Sequence, residues 1–401
     1  MTISFRRMRI GVAIFVIMTA LAIAMITPAA CEPYAVGDEF QIANVVGPAV
    51  EIRGQTNIAA GAGKYLAVWR DRRSGERYDI YGIFLNENGQ PLSDESFLIT
   101  CDAKGDPIPL SASHPAVAFN GTHFLVVWDA APDGPDVIYG TRVTTSGQVL
   151  DPGGFQISTA YTDNQSFPAV ASNGIDWQVV WQKGGAIQVP DILSATISGT
   201  TRNITKRISI ATTDAAELSP SIAWNGRTGS AARYLVTWEE QMTDPDIKGC
   251  LIDHLGNKLS ASAIVISNRA NQPNAGAAGA QYGARVAGGL DSSGNQGGWV
   301  AVWEDCPTDT IGSTSDVRAT RISATGVVQD AGGILVFSEY GKYNANWNYY
   351  NSTPSVAWNG QSYQIICRHG LSTRNPWART LTYGGTRGTA KQLSTTASCN
   401  P

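Results

Sequence analysis

Short apolar runs recur along the chain in pairs. Each pair is split by a Gly-containing break, and its second run is almost unbroken and ends in Trp. The fullest copy reads His114-Pro115-Ala116-Val117-Ala118-Phe119-Asn120-Gly121, Phe124-Leu125-Val126-Val127-Trp128-Asp129, Asp136-Val137-Ile138-Tyr139-Gly140, Gly147-Gln148-Val149-Leu150 and Phe155-Gln156-Ile157-Ser158. The second run ends at Trp69, Trp128, Trp181, Trp238 and Trp303, and at Cys367 in a degenerate sixth copy, at intervals of 59, 53, 57, 65 and 64 residues. That spacing holds four strands of ordinary length with their turns. Self-similarity at such a period predicts an all-β fold, a six-bladed β-propeller of four-stranded antiparallel blades.

The elements of one unit follow from its residues. Asn120-Gly121, Asn173-Gly174, Asn225-Gly226 and Asn359-Gly360 predict tight hairpins between the first two strands, and Gly61-Ala62-Gly63 takes their place in the first copy. A second strand apolar at nearly every position fits burial on both faces between neighbouring blades, so its terminal Trp is expected in packing rather than in ligand contact. The third strand follows an Asp at 79, 136, 191, 246 and 316. Such acids are expected to cap their own loops, with cation binding a distant second. Phe40-Gln41-Ile42-Ala43 nearly copies the outer strand Phe155–Ser158 ahead of the first full unit, and would close the ring by completing the last blade. Gln392-Leu393-Ser394 competes for that place beside Thr380–Thr382, and the sequence leaves the choice open.

Composition agrees with a sheet-built extracytoplasmic chain: 42 glycines, 15% charged residues and no sustained helical periodicity after the first thirty residues. Those thirty differ from the rest. Arg6, Arg7 and Arg9 precede an apolar run from Ile10 to Ile26, followed by Thr27-Pro28-Ala29-Ala30-Cys31. We read residues 1–30 as an export signal, cleaved or of lipoprotein type, and 31–401 as a single propeller. Ala29-Ala30-Cys31 resembles the end of a bacterial lipobox, with Pro28 where Leu is usual, which makes Cys31 a candidate for lipidation. Ordinary cleavage and retention of the run as an anchor stay open, the run being marginal in length for a span. Removing the segment leaves 26 basic and 33 acidic residues, net −7, which argues against nucleic-acid or anionic-lipid partners. Membrane association would then run only through a lipid or the N-terminal segment. Of the six cysteines, Cys367 and Cys399 could staple the closing blade, and Cys250 and Cys306 form a weaker candidate pair; free buried thiols are the alternative.

Chemistry is sparse. Four histidines, none at ligand spacing with another, give no metal site, and no Gly-x-Ser-x-Gly, phosphate-binding loop or Cys-x-x-Cys occurs. No cofactor and no catalytic residue is assigned. If the first strand begins where the second ends, Asp71, Asp129, Glu239 and Asp305 gather at one end of the ring. The stretch 340–350 joins them, with Tyr340, Tyr343, Trp347, Tyr349 and Tyr350 among asparagines. Aromatic faces stack on sugar rings and amides bond hydroxyls, so these nine residues form the candidate ligand surface. A long loop folding its own aromatics onto the blade is the bland alternative.

The stretch Tyr65–Gly82, with Asp71-Arg72-Arg73-Ser74-Gly75 and Asp79-Ile80-Tyr81, resembles the WD-like propeller repeats of the TolB type. The Pro-x-Val-Ala and Val-Val-Trp blocks resemble those of uncharacterised repeat proteins of bacterial and archaeal envelopes. The resemblance spans roughly residues 40–395 and implies architecture. Asn-Gly stands where TolB-type repeats carry Ser-Pro-Asp-Gly, so a periplasmic translocation role is not carried over. The expected function is a non-catalytic binding or surface-interaction module for carbohydrate or protein, secreted or on the cell surface, its oligomeric state open. The alternatives are a carbohydrate-active enzyme, hydrolase or lyase, using two acids near the axis, and a structural envelope subunit.

Overall fold

The computed structural model describes residues 56–393 except 76, 133, 160–161, 186–187, 242–244, 268–279, 291–296, 307–313, 343–353 and 370–374. Six four-stranded antiparallel sheets form a six-bladed β-propeller. Within each blade the strands follow chain order from the inner strand outward. Blade 1 runs through Thr56–Gly61, Lys64–Asp71, Asp79–Leu85 and Phe97–Leu98. The inner strands of blades 2 to 6 are Ala112–Phe119, Gln165–Ser172, Ala216–Trp224, Ala280–Leu290 and Ser355–Trp358, and consecutive inner strands lie against one another. The outer place of blade 6 is taken from the C-terminal side, where Lys391–Gln392 pairs with Ala378 and Trp377. The pairing lies nearer the start of the third strand than the Thr380–Thr382 stretch. Residues 40–43 lie outside the described residues.

The Trp column packs between blades. Trp128 of blade 2 joins Leu66, Val68, Ile80 and Ile99 of blade 1 in one core cluster. Trp181 of blade 3 meets Leu125, Val127 and Ile157 of blade 2. Trp238 meets Val180 and Ile192 of blade 3, and Trp303 meets Leu235 and Ile266 of blade 4. Trp and its preceding residue thus face opposite neighbours, as strand alternation requires. Cys367 fills the Trp place in the blade 5 to 6 cluster with Val302 and Val317.

Two recurrent residues find their reason here. The Gly that ends Asp-Ile-Tyr-Gly makes room for the outer strand's Ile. A Cβ on Gly82, Gly140 or Gly249 would stand 2.8, 2.8 or 2.7 Å from the Cδ1 of Ile99, Ile157 or Ile266. The Asn of Asn-Gly works through its side chain. Asn120 Oδ1 accepts from the Thr122 and His123 backbone N–H groups, at 3.0 and 2.8 Å, while only Gly121 adopts the left-handed φ, +93°. Asn173, Asn225 and Asn359 accept in the same way. The expected tolerance of positive φ therefore belongs to the Gly, and the Asn is a hydrogen-bonding cap.

The Cys250–Cys306 pairing is not formed. The Cys250 thiol is free and buried in the blade 3 to 4 cluster, its Sγ donating to the Leu251 carbonyl at 3.4 Å, and burial pushes its pKa up to about 11. Cys306 belongs to a separate cluster with Ala280 and Tyr282 of its own blade. Cys367 is a buried thiol, and Cys31 and Cys399 lie outside the described residues.

Candidate functional site

The antiparallel registers bring the end of each second strand beside the start of its inner strand. Asp129 stands opposite Ser113, Glu239 opposite Leu218, and Asp305 opposite Gln281. The inner strands carry a bulge at this level, between Ser113 and Ala116, at Phe167-Pro168, between Leu218 and Ser221, and between Tyr282 and Arg285. The first bulge residue is left-handed in all four: His114 (+49°), Phe167 (+55°), Ser219 (+53°) and Gly283 (+63°). For a bulky residue such as Phe this conformation is strained by about 1–3 kcal/mol and needs support from its surroundings.

The buried acids supply that support across blade junctions. Asp129 lies 2.8 Å from Nδ1 of His114, the bulge residue of its own blade, and accepts the backbone N–H of Phe167, the bulge residue of the next. Glu239 repeats the arrangement. It accepts the Ser219 hydroxyl from its own blade and the Gly283 N–H from the next, the latter at 2.6 Å. In blade 1 the corresponding residue is Arg70, whose Nη1 donates to Ser113 Oγ of blade 2 at 2.9 Å and whose guanidinium lies 4.3 Å from the Tyr78 ring. The His114 and Phe167 rings lie 4.1 Å apart.

Burial raises the Asp129 carboxyl against the opposing pull of His114, the Phe167 N–H and Arg70. Burial likewise pushes Glu239 up to about 7, opposed by the Gly283 N–H and Arg285 and reinforced by the charge of Glu304.

Asp71 and Asp305 are also engaged within the chain. Asp71 accepts the Arg73 N–H at 2.9 Å and the Trp69 Nε1–H at 3.3 Å, and forms an ion pair with the Arg73 guanidinium. Burial would raise its carboxyl, but these Arg73 interactions outweigh it and hold the pKa below the ordinary value. Asp305 pairs with Arg318 Nε at 2.8 Å and accepts from Gln281 Nε2 at 3.4 Å, and burial keeps it above the ordinary range in spite of Arg318. Tyr340 falls in the outer strand Ile334–Lys342, but its side chain, like Tyr343, Trp347, Tyr349 and Tyr350, lies outside the described residues.

The sequence reading passed over the residues before Pro. His114, Phe167 and Ser219 share one repeat position, and their only signal was that register. The column of acids before the third strand behaves as loop and ion-pair partners. Asp79 accepts the Ser74 and Thr100 hydroxyls, the latter at 3.1 Å, and Asp191 lies 3.9 Å from Lys183 Nζ. Among the described residues no group of three metal-ligating side chains occurs.

A pocket of about 220 Å³ opens on blade 1, lined by Ser74, Arg77, Asp79, Pro107 and Ile108.

No protein-family model matches the chain, and no curated protein matches it. Some solved structures are similar to it at low identity. A subtype N11 neuraminidase-like protein (A/flat-faced bat/Peru) is 10% identical with a TM-score of 0.44, over 85% of this chain and 86% of that one. A Trypanosoma rangeli sialidase is 8% identical with a TM-score of 0.47, over 84% of this chain and 53% of its own. An α-L-arabinofuranosidase from Lactobacillus brevis is 12% identical with a TM-score of 0.39, over 75% of this chain and 97% of its own. Likeness at this level assigns no activity.

Proposed function

We propose that the chain is an exported propeller that recognises carbohydrate or protein without catalysing a reaction. It is either released or held at a surface through Cys31 or the apolar run 10–26. The observation that carries this reading is the engagement of these acids: Asp71, Asp129, Glu239 and Asp305 each accept from or pair with groups of their own chain, and Asp129 holds the strained Phe167 bulge across a blade junction. An acid whose oxygens accept a neighbour's N–H has lone pairs occupied and its anion stabilised, which makes it a poorer nucleophile or base. The export pattern of residues 1–30 supports the exported part of this reading.

The test is binding of the chain from residue 32 to a panel of polysaccharides and glycoproteins, beside a variant with 340–350 replaced by a Gly-Ser linker. Saturable binding without product release is expected, and its loss in a folded linker variant would place the contact on that loop. Failure to bind any member would overturn the reading in favour of a structural envelope subunit.

One observation favours the hydrolytic alternative. Glu239, raised to about 7 chiefly by burial and in small part by the charge of Glu304, is partly protonated near neutral pH, as a general acid must be. Slow glycan breakdown abolished by Glu239→Gln would establish that reading; breakdown absent from the unaltered chain would remove it.

A further inference from the structure

We infer that the blade 1 pocket lined by Ser74, Arg77, Asp79, Pro107 and Ile108 is a binding site for a single terminal pyranose sugar. The inference rests on the recognition reading above and narrows it to one site and one ligand class.

Size decides first. The pocket holds about 220 Å³. It falls below the ~300–1,000 Å³ of pockets that enclose drug-sized ligands. One sugar ring fits, and a buried oligosaccharide does not.

The lining then selects among small ligands. Asp79 forms the floor and is buried, with one carboxylate oxygen accepting Thr100 Oγ1 at 3.1 Å and the other accepting the Ser74 hydroxyl. At 1% exposure Asp79 presents little of itself to a ligand and serves to orient the exposed Ser74 hydroxyl, whose oxygen stays available as an acceptor. Arg77 is exposed at the rim and supplies donors close enough to Asp79 for its charge to act on that carboxyl. Pro107 gives an exposed apolar edge, and Ile108 is buried. Opposite charges in one small lining disfavour a simple cation or anion. A neutral molecule dense in hydroxyls, with one C–H face, satisfies every part of it.

The walls are held before any ligand arrives. On one side the hairpin is tied by the Gly75 N–H to the Arg72 carbonyl at 3.0 Å and by Arg73 Nη1 to Ser96 Oγ at 2.8 Å. On the other side Asp102 Oδ1 accepts the Lys104 and Asp106 N–H groups, at 2.8 and 3.1 Å, and the Ile108 N–H bonds the Thr100 carbonyl at 3.1 Å. The Ala112 N–H joins the two sides through the Tyr78 carbonyl at 2.8 Å. A site ordered in advance loses little entropy on binding, as a small ligand with few contacts requires. Loop capping accounts for Ser74 and Thr100 on Asp79. It leaves unexplained the void beside them, lined by Pro107 and Ile108 and open at Arg77.

The experiment is calorimetry and saturation-transfer NMR on the full chain with the methyl α- and β-pyranosides of glucose, galactose, mannose, xylose and N-acetylglucosamine, beside Arg77→Ala and Pro107→Ala. Both substitutions are at exposed positions, so the fold should survive. The polysaccharide panel is run on the same three proteins. We expect at least one pyranoside to bind with a millimolar Kd, weakened at least tenfold by each substitution. Panel binding with no pyranoside binding, or with pyranoside affinity unchanged in both variants, would overturn the pocket and leave the recognition reading standing. Silence of both panel and pyranosides would overturn the two together.

Discussion

At the five junctions inside the ring, the residue before the strand-ending Trp is fully covered. Val68, Val127, Val180, Thr237 and Val302 are all at 0% exposure, whereas Ile366, their counterpart in blade 6, is 42% exposed. The opposite partner shows the same contrast. Val117, Ile222 and Val286 of the inner strands are buried, and Ile58 in the same register of blade 1 is 54% exposed. Val117 packs with Leu66 and Val68 of the preceding blade, and Val127 packs with Trp177 and Trp181 of the following one. Ile58 and Ile366 therefore both face the seam between blades 6 and 1. The two terminal blades also carry polar cover there. Arg73 lies 4.2 Å over the Tyr81 ring and 6.0 Å from that of Trp69, and half-buried Gln364 and Arg368 flank Ile366 on its face of the strand. The comparison teaches that a repeat endows every blade with two packing faces, and that at the end units single positions, Ile58 and Ile366, stay open to water while Trp69 and Tyr81 remain covered.

The most forceful way to break this comparison is to empty an interior junction. Trp128→Ala removes a fully buried side chain from the blade 1 to 2 core and is expected to destabilise the protein by about 3–5 kcal/mol. Urea denaturation would read the loss. If Trp128→Ala cost no more than a substitution at the seam, burial differences between the junctions would not be differences in stability.

A second test uses pH. Glu239 accepts the Gly283 N–H across an interior junction, a place occupied in blade 6 by Arg368, which has no acceptor. Because its folded pKa is raised from 4.5 to about 7, its stabilising contribution is full below about pH 4.5 and is lost as pH rises through about 7. The difference amounts to about 3 kcal/mol. Glu239→Gln keeps an acceptor and removes the titration, so stability measured from pH 4 to 8 should fall more steeply in the wild type than in the variant. Parallel profiles would show that the carboxyl titrates normally and that the latch needs another explanation.

Much of the comparison was legible in the residues, and the rest was not for identifiable reasons. Period, hairpins and buried Trp could be read because each is local or repeats in register. The left-handed bulges could not, since a residue before Pro is ordinarily extended, and Phe167 departs from that only because Asp129 of another blade holds its N–H. The registers set Asp129 and Glu239 beside the starts of their inner strands, but the partners Phe167 and Gly283 come from the next repeat, which no single unit reveals. The choice between Phe40–Ala43 and Lys391–Gln392 for the outer strand of blade 6 likewise turned on pairing, because both segments have suitable composition.

A third prediction separates packing within a blade from packing between blades. Gly140 stands opposite Val127 as Ala378 stands opposite Ile366, so Gly140→Ala gives an interior blade the residue of the terminal one. Its Cβ would meet Ile157 Cδ1 at 2.8 Å and Leu125 Cδ1 at 3.4 Å. Both are ends of side chains that can shift, so the expected cost is about 1–2 kcal/mol, the lower part of the overpacking range. In an Ile157→Val background, which removes the offending methyl, the same change should cost less than about 0.5 kcal/mol. Equal costs in the two backgrounds would place the strain elsewhere, at the blade junction.

The smallest expected effect tests the seam itself. Ile366 keeps 42% of its surface in water and Ile58 keeps 54%, so replacing either by a polar residue removes little burial. Surface substitutions of this kind stay within about 0.5 kcal/mol. Ile366→Ser and Ile58→Thr should each fall in that range, and the double variant should equal their sum, since side chains that do not share a covered core do not couple. The informative departure is a large, non-additive loss. If each single variant cost more than about 1.5 kcal/mol, and the double variant little more than either, the two isoleucines would be buried against one another in solution. The seam would then be a sixth junction of the ordinary kind.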